Sequence, residues 1–304
     1  MTLTRVLTAL VLMPAVIAIV LFTPTWAVAI AVAVLTVLAL WEYFALGDAI
    51  GHRAYRLWTI FCALLIIYVQ WRTSQIDSSM SGIFGAPKPQ QPALFYFSTM
   101  QFSPLTVFFI FLVGIACLSL WTRRPLVEIL PAAGISSSAL LLIALPLSFA
   151  LRIHAIPIDG RLLLLFTLAI IWASDTVAYF AGRAFGKHPL APKISPKKTW
   201  EGAIAGMIGS LLVARAFQPG LFIGHGGTMG LIQSFPERLF IMAALGNIAG
   251  QMGDLLESAC KRSAGVKDSG GLLPGHGGIL DRIDALILCI PVIWYYLVLV
   301  NPHL

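Results

Sequence analysis

Charge is what this sequence has least of. Only 11% of its 304 residues are Asp, Glu, Lys or Arg, against roughly 25% in an ordinary soluble domain. With 59% of residues hydrophobic, there is too little polar surface to clothe a core of that size in water. A soluble globule and a disordered chain are therefore excluded. Low complexity is excluded as well, because the 26 Gly and 18 Pro are scattered without a repeat. Cysteine is equally sparse. Cys62, Cys117, Cys260 and Cys289 include no pair at metal-ligand or redox spacing, which leaves them as small buried hydrophobes. Period-two alternation is missing too, so nothing supports a membrane β-barrel.

What is present is a series of long apolar runs. A helix needs about 20 mostly apolar residues to cross the hydrocarbon core. Nine windows meet or approach that length: 3–22, 26–44, 54–71, 104–121, 135–151, 162–180, 200–217, 239–251 and 285–300. The first begins almost at Met1, but no small-residue cleavage site follows it, so it reads as a retained span. The expected fold is an all-α polytopic integral membrane protein with about nine transmembrane helices. Nine spans put the termini on opposite faces. The face bearing the N-terminus then collects 14 Lys and Arg and the other face 5, with Arg215 inside a span. By the positive-inside rule the N-terminus is cytoplasmic and the C-terminus lies opposite.

The two halves differ in chemistry. Residues 1–151 read as anchoring and packing helices, and 152–304 as the catalytic region with cytoplasmic loops at 182–199 and 254–284. Glu42, Asp48, His52, Arg53 and Arg56 read as a solvated connection. The stretch 73–103 reads as a loop on the far side, with an interfacial turn near Phe95, Tyr96 and Phe97. His154, His225 and His303 lack carboxylate partners at useful spacing and read as surface residues. Asp175 is different, because it lies inside an apolar helix, where a charge costs several kcal/mol and marks function by default. Thr199 is placed to cap the seventh helix, with Lys197 and Lys198 just before it, an arrangement that suits an anion.

The richest segment runs from 253 to 284. Asp254, Glu257 and Lys261 share one helical face. Asp281 and Asp284 are three apart and face the same way if 279 onward is helical. Between them lie Gly270, Gly271, Gly275, Gly277 and Gly278, whose backbone N–H groups can approach phosphate oxygens. Asp254, Asp281 and Asp284 together suit a divalent cation such as Mg²⁺, which favours a few carboxylates with substrate phosphates. Lys261, Arg262, Lys267 and Arg282 supply positive charge for a polyphosphate. The inventory is that of phosphoryl or nucleotidyl transfer.

The pattern Ser258-x2-Lys261-Arg262-x4-Lys267-Asp268-x-Gly270-x2-Leu273-Pro274-x-His276-Gly277-Gly278-x2-Asp281-Arg282-x-Asp284 resembles the signature of the phosphatidate cytidylyltransferase (CDP-diglyceride synthase) family. The segment Ser195-Pro-Lys-Lys-Thr-Trp-Glu-Gly202 resembles its bacterial branch. Cys260 departs from the larger apolar residue usual there. The resemblance implies a Mg²⁺-dependent reaction of CTP with phosphatidate that yields CDP-diacylglycerol and pyrophosphate at the cytoplasmic membrane face. It also implies metal binding by Asp254, Asp281 and Asp284, and a triphosphate held by Lys261, Arg262 and Lys267 beside Asp268. Ser258, His276, Gly277, Gly278 and Arg282 would shape the substrate site, and Lys197 and Lys198 would meet the phosphatidate phosphate. No nucleic-acid partner is expected, and small residues on the seventh and eighth helices offer a surface for a homodimer.

Two rival readings use the same parts. A CTP-dependent lipid or polyprenol kinase would pass on the γ-phosphate rather than the cytidylyl group. A secondary transporter would carry repeated halves with broken helices, whereas here the halves are unlike and the polar residues gather at one face.

Overall fold

The computed structural model describes residues 2–81, 103–121, 124–218, 236–272 and 277–301. Among these residues the chain forms nine helices: α1 (Thr2–Phe22), α2 (Thr25–Ala49), α3 (Arg56–Ser81), α4 (Pro104–Trp121), α5 (Leu126–His154), α6 (Gly160–Phe185), α7 (Trp200–Ala216), α8 (Arg238–Ser263) and α9 (Leu280–Val300). Each coincides with one of the nine apolar windows. Seven of them, α2 to α6 with α8 and α9, are long and apolar enough to cross a membrane. The chain is an all-α integral membrane protein, the form that pairs backbone polar groups within each segment where lipid offers no partner.

Several boundaries differ from the sequence reading. α3 continues through Ser81, so the first part of the supposed loop at 73–103 is helix, and Phe95–Phe97 lie outside the described residues. α6 reaches Phe185 and α8 reaches Ser263. The connections proper are therefore 186–199 and 264–279. The former holds an antiparallel pair that the sequence did not announce, β1 (Pro189–Ala191) and β2 (Ser195–Thr199), with Pro189 opposite Thr199 and Ala191 opposite Ser195. α5 contains a π turn at Leu140–Ala144. Pro146 follows, and it can neither donate to the helix ladder nor fit beneath a regular turn.

Glycines set the packing of the C-terminal half. α6 lies against α7, and α8 against α7 and α9. A Cβ at Gly206 would stand 2.8 Å from Ser174 Oγ, and one at Gly253 would stand 2.5 Å from the Asp284 carbonyl. Gly209 meets Val177, while Gly246 and Gly250 meet Ile170 and Ile171. These glycines make close contacts with neighbouring helices within the chain.

A polar network is buried at the same junction. Asn247 Nδ2 donates to Ser174 Oγ (2.6 Å) and Ser210 Oγ (3.0 Å), and Gln251 Nε2 donates to Asn247 Oδ1 (2.7 Å). Three helices are thereby joined where an unpaired amide would be costly. His154 is also buried rather than superficial. Its Nε2 donates to the Val20 carbonyl (3.0 Å) and its Nδ1 accepts from Thr25 Oγ1 (3.1 Å), which ties α5 to the α1–α2 corner.

Gly206→Leu is expected to lower the melting temperature in detergent more than Asn247→Ala. The first forces α6 and α7 apart, whereas interhelical hydrogen bonds in membranes average only about 0.6 kcal/mol each. Thermal unfolding of the two purified variants side by side checks the order.

Candidate active site

α6 and α8 end where α7 and α9 begin, and the charged residues of the C-terminal half collect at that end of the bundle. The helices do not end level. Lys198 Nζ, on β2 two residues before α7, lies 2.5 Å from Asp254 Oδ2. Asp254 is nine residues short of the α8 terminus, or roughly 14 Å at 1.5 Å per residue. The last turns of α8 therefore stand proud of the start of α7, and they carry Glu257, Ser258, Lys261 and Arg262.

The hairpin closes one side. Thr199 caps α7 as its position suggested, and its hydroxyl accepts from Gly202 N at 3.2 Å. Glu201 was not foreseen as a structural anchor. Its Oε2 accepts from Lys187 N (3.2 Å) and His188 N (3.3 Å), and its Oε1 lies 2.6 Å from His188 Nδ1. Arg262 Nε donates to the Ile194 carbonyl at the hairpin turn (3.2 Å) and Nη1 donates to the Val266 carbonyl (3.0 Å). Arg262 thus spans from α8 to both neighbouring connections. Lys197 is exposed.

α8 and α9 are locked by one ammonium group. Lys261 Nζ lies 2.5 Å from Glu257 Oε2 and 2.5 Å from Asp281 Oδ1, and the side chains of Lys261, Glu257 and Asp281 are 10%, 3% and 10% exposed. Lys261 was expected at the triphosphate. It sits buried between two carboxylates instead, because neither carboxylate could stay charged there without it. Asp281 Oδ2 accepts from Gly278 N (2.8 Å) and Ser269 N (3.1 Å). The contact to Gly278 is the backward reach of a capping box. Gly277 has φ +79°, and a Cβ on it would lie 2.8 Å from Asp281 Oδ2, so only glycine suits that turn.

The other acidic residues face each other with less compensation. Asp284 lies within electrostatic range of Asp254, Glu257 and Asp175, and Asp175 within range of Asp254, Lys198 and Arg282. Asp175, Asp254 and Asp284, on α6, α8 and α9, are therefore near enough to raise the cost of one another's charge. Asp281 is one turn away, with its oxygens committed to Lys261 and the loop. Among the described residues no three Asp, Glu, His or Cys side chains are already drawn together as metal ligands would be. Ser258 is buried, whereas Lys267, Asp268 and Arg282 are exposed. His276 lies outside the described residues.

Glu42 was misread as part of a solvated connection. It is only 7% exposed. Its carboxylate accepts from Ser269 Oγ (2.8 Å), Ile279 N (2.9 Å) and Leu280 N (2.8 Å), and so satisfies the free N–H groups that open α9. The available signal was the one used for Asp175, a carboxylate within an apolar run.

Comparison with known proteins places these features in a family. Residues 3–300 match the model of the cytidylyltransferase family. A phosphatidate cytidylyltransferase of Haemophilus influenzae is 33% identical over 296 residues, which is 96% of this chain and 97% of that protein. One from Rickettsia bellii is 34% identical over 71% of this chain and 87% of its own length. One from Staphylococcus haemolyticus is 44% identical over 44% of this chain and 48% of its own.

Lys261→Met is expected to destabilise the protein by about 3 kcal/mol, because it strands two carboxylates in a buried site. Adding Glu257→Gln to that variant should recover part of the loss. Denaturation of the single and double variants in detergent measures both steps.

Proposed function

The chain belongs to the cytidylyltransferase family, and we propose that it is a phosphatidate cytidylyltransferase that converts CTP and phosphatidate to CDP-diacylglycerol and pyrophosphate. The observation that carries this reading is the grouping of Asp175, Asp254 and Asp284 from three helices within electrostatic range of one another, beside a glycine-rich connection and the exposed Lys197 and Lys267. The similarity to relatives bearing that name, one of them over 96% of this chain, supports the choice of substrates.

In the reaction a phosphate oxygen of phosphatidate attacks the α-phosphorus of CTP. The bond from that phosphorus to the oxygen bridging the β-phosphate breaks, and pyrophosphate leaves with the electron pair. The attacking oxygen is already anionic, so no dedicated general base is required. Catalysis consists of positioning and charge neutralisation. Lys267, Arg282 and the glycine-loop amides hold the triphosphate, with Arg262 fixing the hairpin beside it. Lys197 meets the lipid phosphate, and Lys198 holds Asp254 in place.

The donor set suits a hard divalent cation: it offers oxygen only, on carboxylates that repel one another. Asp254 and Asp284 would hold Mg²⁺, with Asp175 and Asp281 on either side of them, and the ion would supply charge neutralisation at the triphosphate. The chemistry belongs to 152–304, at the face where the basic residues collect. We assign that face, with the N-terminus, to the cytoplasm, where CTP is available, and the C-terminus to the opposite side.

Labelled nucleotide tests the reaction. Purified protein given phosphatidate and Mg²⁺ should move label from α-³²P CTP, and not from γ-³²P CTP, into lipid. A kinase would give the reverse. A chelator should abolish transfer and added Mg²⁺ should restore it. Asp254→Asn should lower the rate about 100-fold or more while the protein still inserts.

A further inference from the structure

The glycine-rich connection between α8 and α9 is tied at its base by two carboxylates, and one of them comes from the other half of the chain. Asp281 receives the backbone N–H groups of Ser269 and Gly278. Glu42, near the end of α2, receives the Ser269 hydroxyl on Oε2, the Leu280 N–H on the same oxygen and the Ile279 N–H on Oε1. Both groups therefore grip the start and the end of the same stretch.

The glycines at its two ends fit this arrangement. A Cβ at Gly270 would stand 2.6 Å from Glu42 Oε1, and one at Gly278 would collide with Glu42 Oε2 and Ser269 Oγ. Those two positions are glycine so that the backbone can close on Glu42. That differs from a role in cradling phosphate. Three donors converge on one side chain, and a carboxylate accepts them all. An amide of the same size would turn its NH₂ toward at least one of them.

We propose that Glu42 is a positioning residue for the transfer reaction: it fixes Ser269 and the first residues of α9, and so sets where the adjoining Lys267 and Arg282 meet the nucleotide. It is sealed from solvent and acts through the loop rather than on the substrate. The N-terminal helices thus complete the site instead of only anchoring it. This rests on the reading of the loop as the CTP site.

Full-length Glu42→Gln, Glu42→Ala and Glu42→Asp test the idea against three measurements. These are the kinetic constants for CTP and for phosphatidate, hydrogen exchange along the chain, and thermal stability in detergent. In Glu42→Gln, kcat/KM for CTP should fall about 10–100-fold, as when a group supporting a directly binding residue is removed. KM for CTP should rise while KM for phosphatidate holds. Exchange should quicken in peptides covering 264–280 and not elsewhere, and Glu42→Asp should recover part of the loss. Wild-type CTP kinetics in both Glu42→Gln and Glu42→Ala would overturn the proposal. So would lower activity with both KM values unchanged and faster exchange throughout the chain, the mark of a merely less stable protein. If the wild-type protein formed no labelled lipid, the functional reading would fail separately. Exchange in 264–280 would then decide the role of Glu42 by itself.

Discussion

Lys261 is buried between Glu257 on its own helix and Asp281 on the next, and the geometry of the charged end of the molecule depends on that contact. Removing an ammonium group from water is costly, and two carboxylates at 2.5 Å offset the cost only if α8 and α9 keep their register. That register is also fixed where Gly253 lets α8 approach the backbone of α9 at Asp284. With both contacts in place, Asp254 and Asp284 lie within electrostatic range of each other and the connection at 264–279 has fixed ends.

The same constraint sorts the charged residues into two kinds. Lys261, Glu257, Asp281 and Glu42 are largely buried and hold the frame, Lys261 paired with Glu257 and Asp281, and Glu42 with Ser269 and the start of α9. Lys197, Lys267, Asp268 and Arg282 are exposed. Asp175, Asp254 and Asp284 lie between these groups, on three helices, with Lys198 as the near cation. The frame residues are turned inward, and the function proposed above gives the exposed cations to the nucleotide's polyphosphate. That is the arrangement a nucleotidyl transfer requires, since its catalysis is largely positioning and charge neutralisation.

Much of this was legible in the residues. The nine apolar windows correspond to nine helices among the described residues, seven of them long and apolar enough to cross a membrane, because apolar length at a membrane has few other solutions. Thr199 reads as a cap because its hydroxyl stands three residues before a free N–H. The motif from Ser258 to Asp284 identifies the family without coordinates. Glu42 was not legible in the same way. Its partners Ser269, Ile279 and Leu280 lie more than 220 positions away, and no local pattern connects them. The hairpin at 189–199 was hidden for another reason: its strands are short, and Pro189 and Pro196 argue against a sheet.

The sequence by itself determined an all-α membrane protein, the order of its helices, the face where its charges collect and the family to which it belongs. Those properties follow from composition, from the length of apolar runs and from the fixed spacing within one motif. Tertiary structure alone decided which charges are structural and which are open. Lys261 and Lys267 differ little as letters, yet one is buried between carboxylates and the other is exposed, because Lys261 lies where α8 packs on α9 and Lys267 lies in the connection beyond α8. It also decided that a glutamate from the second helix completes the loop before the ninth, since only packing brings those two ends of the chain together.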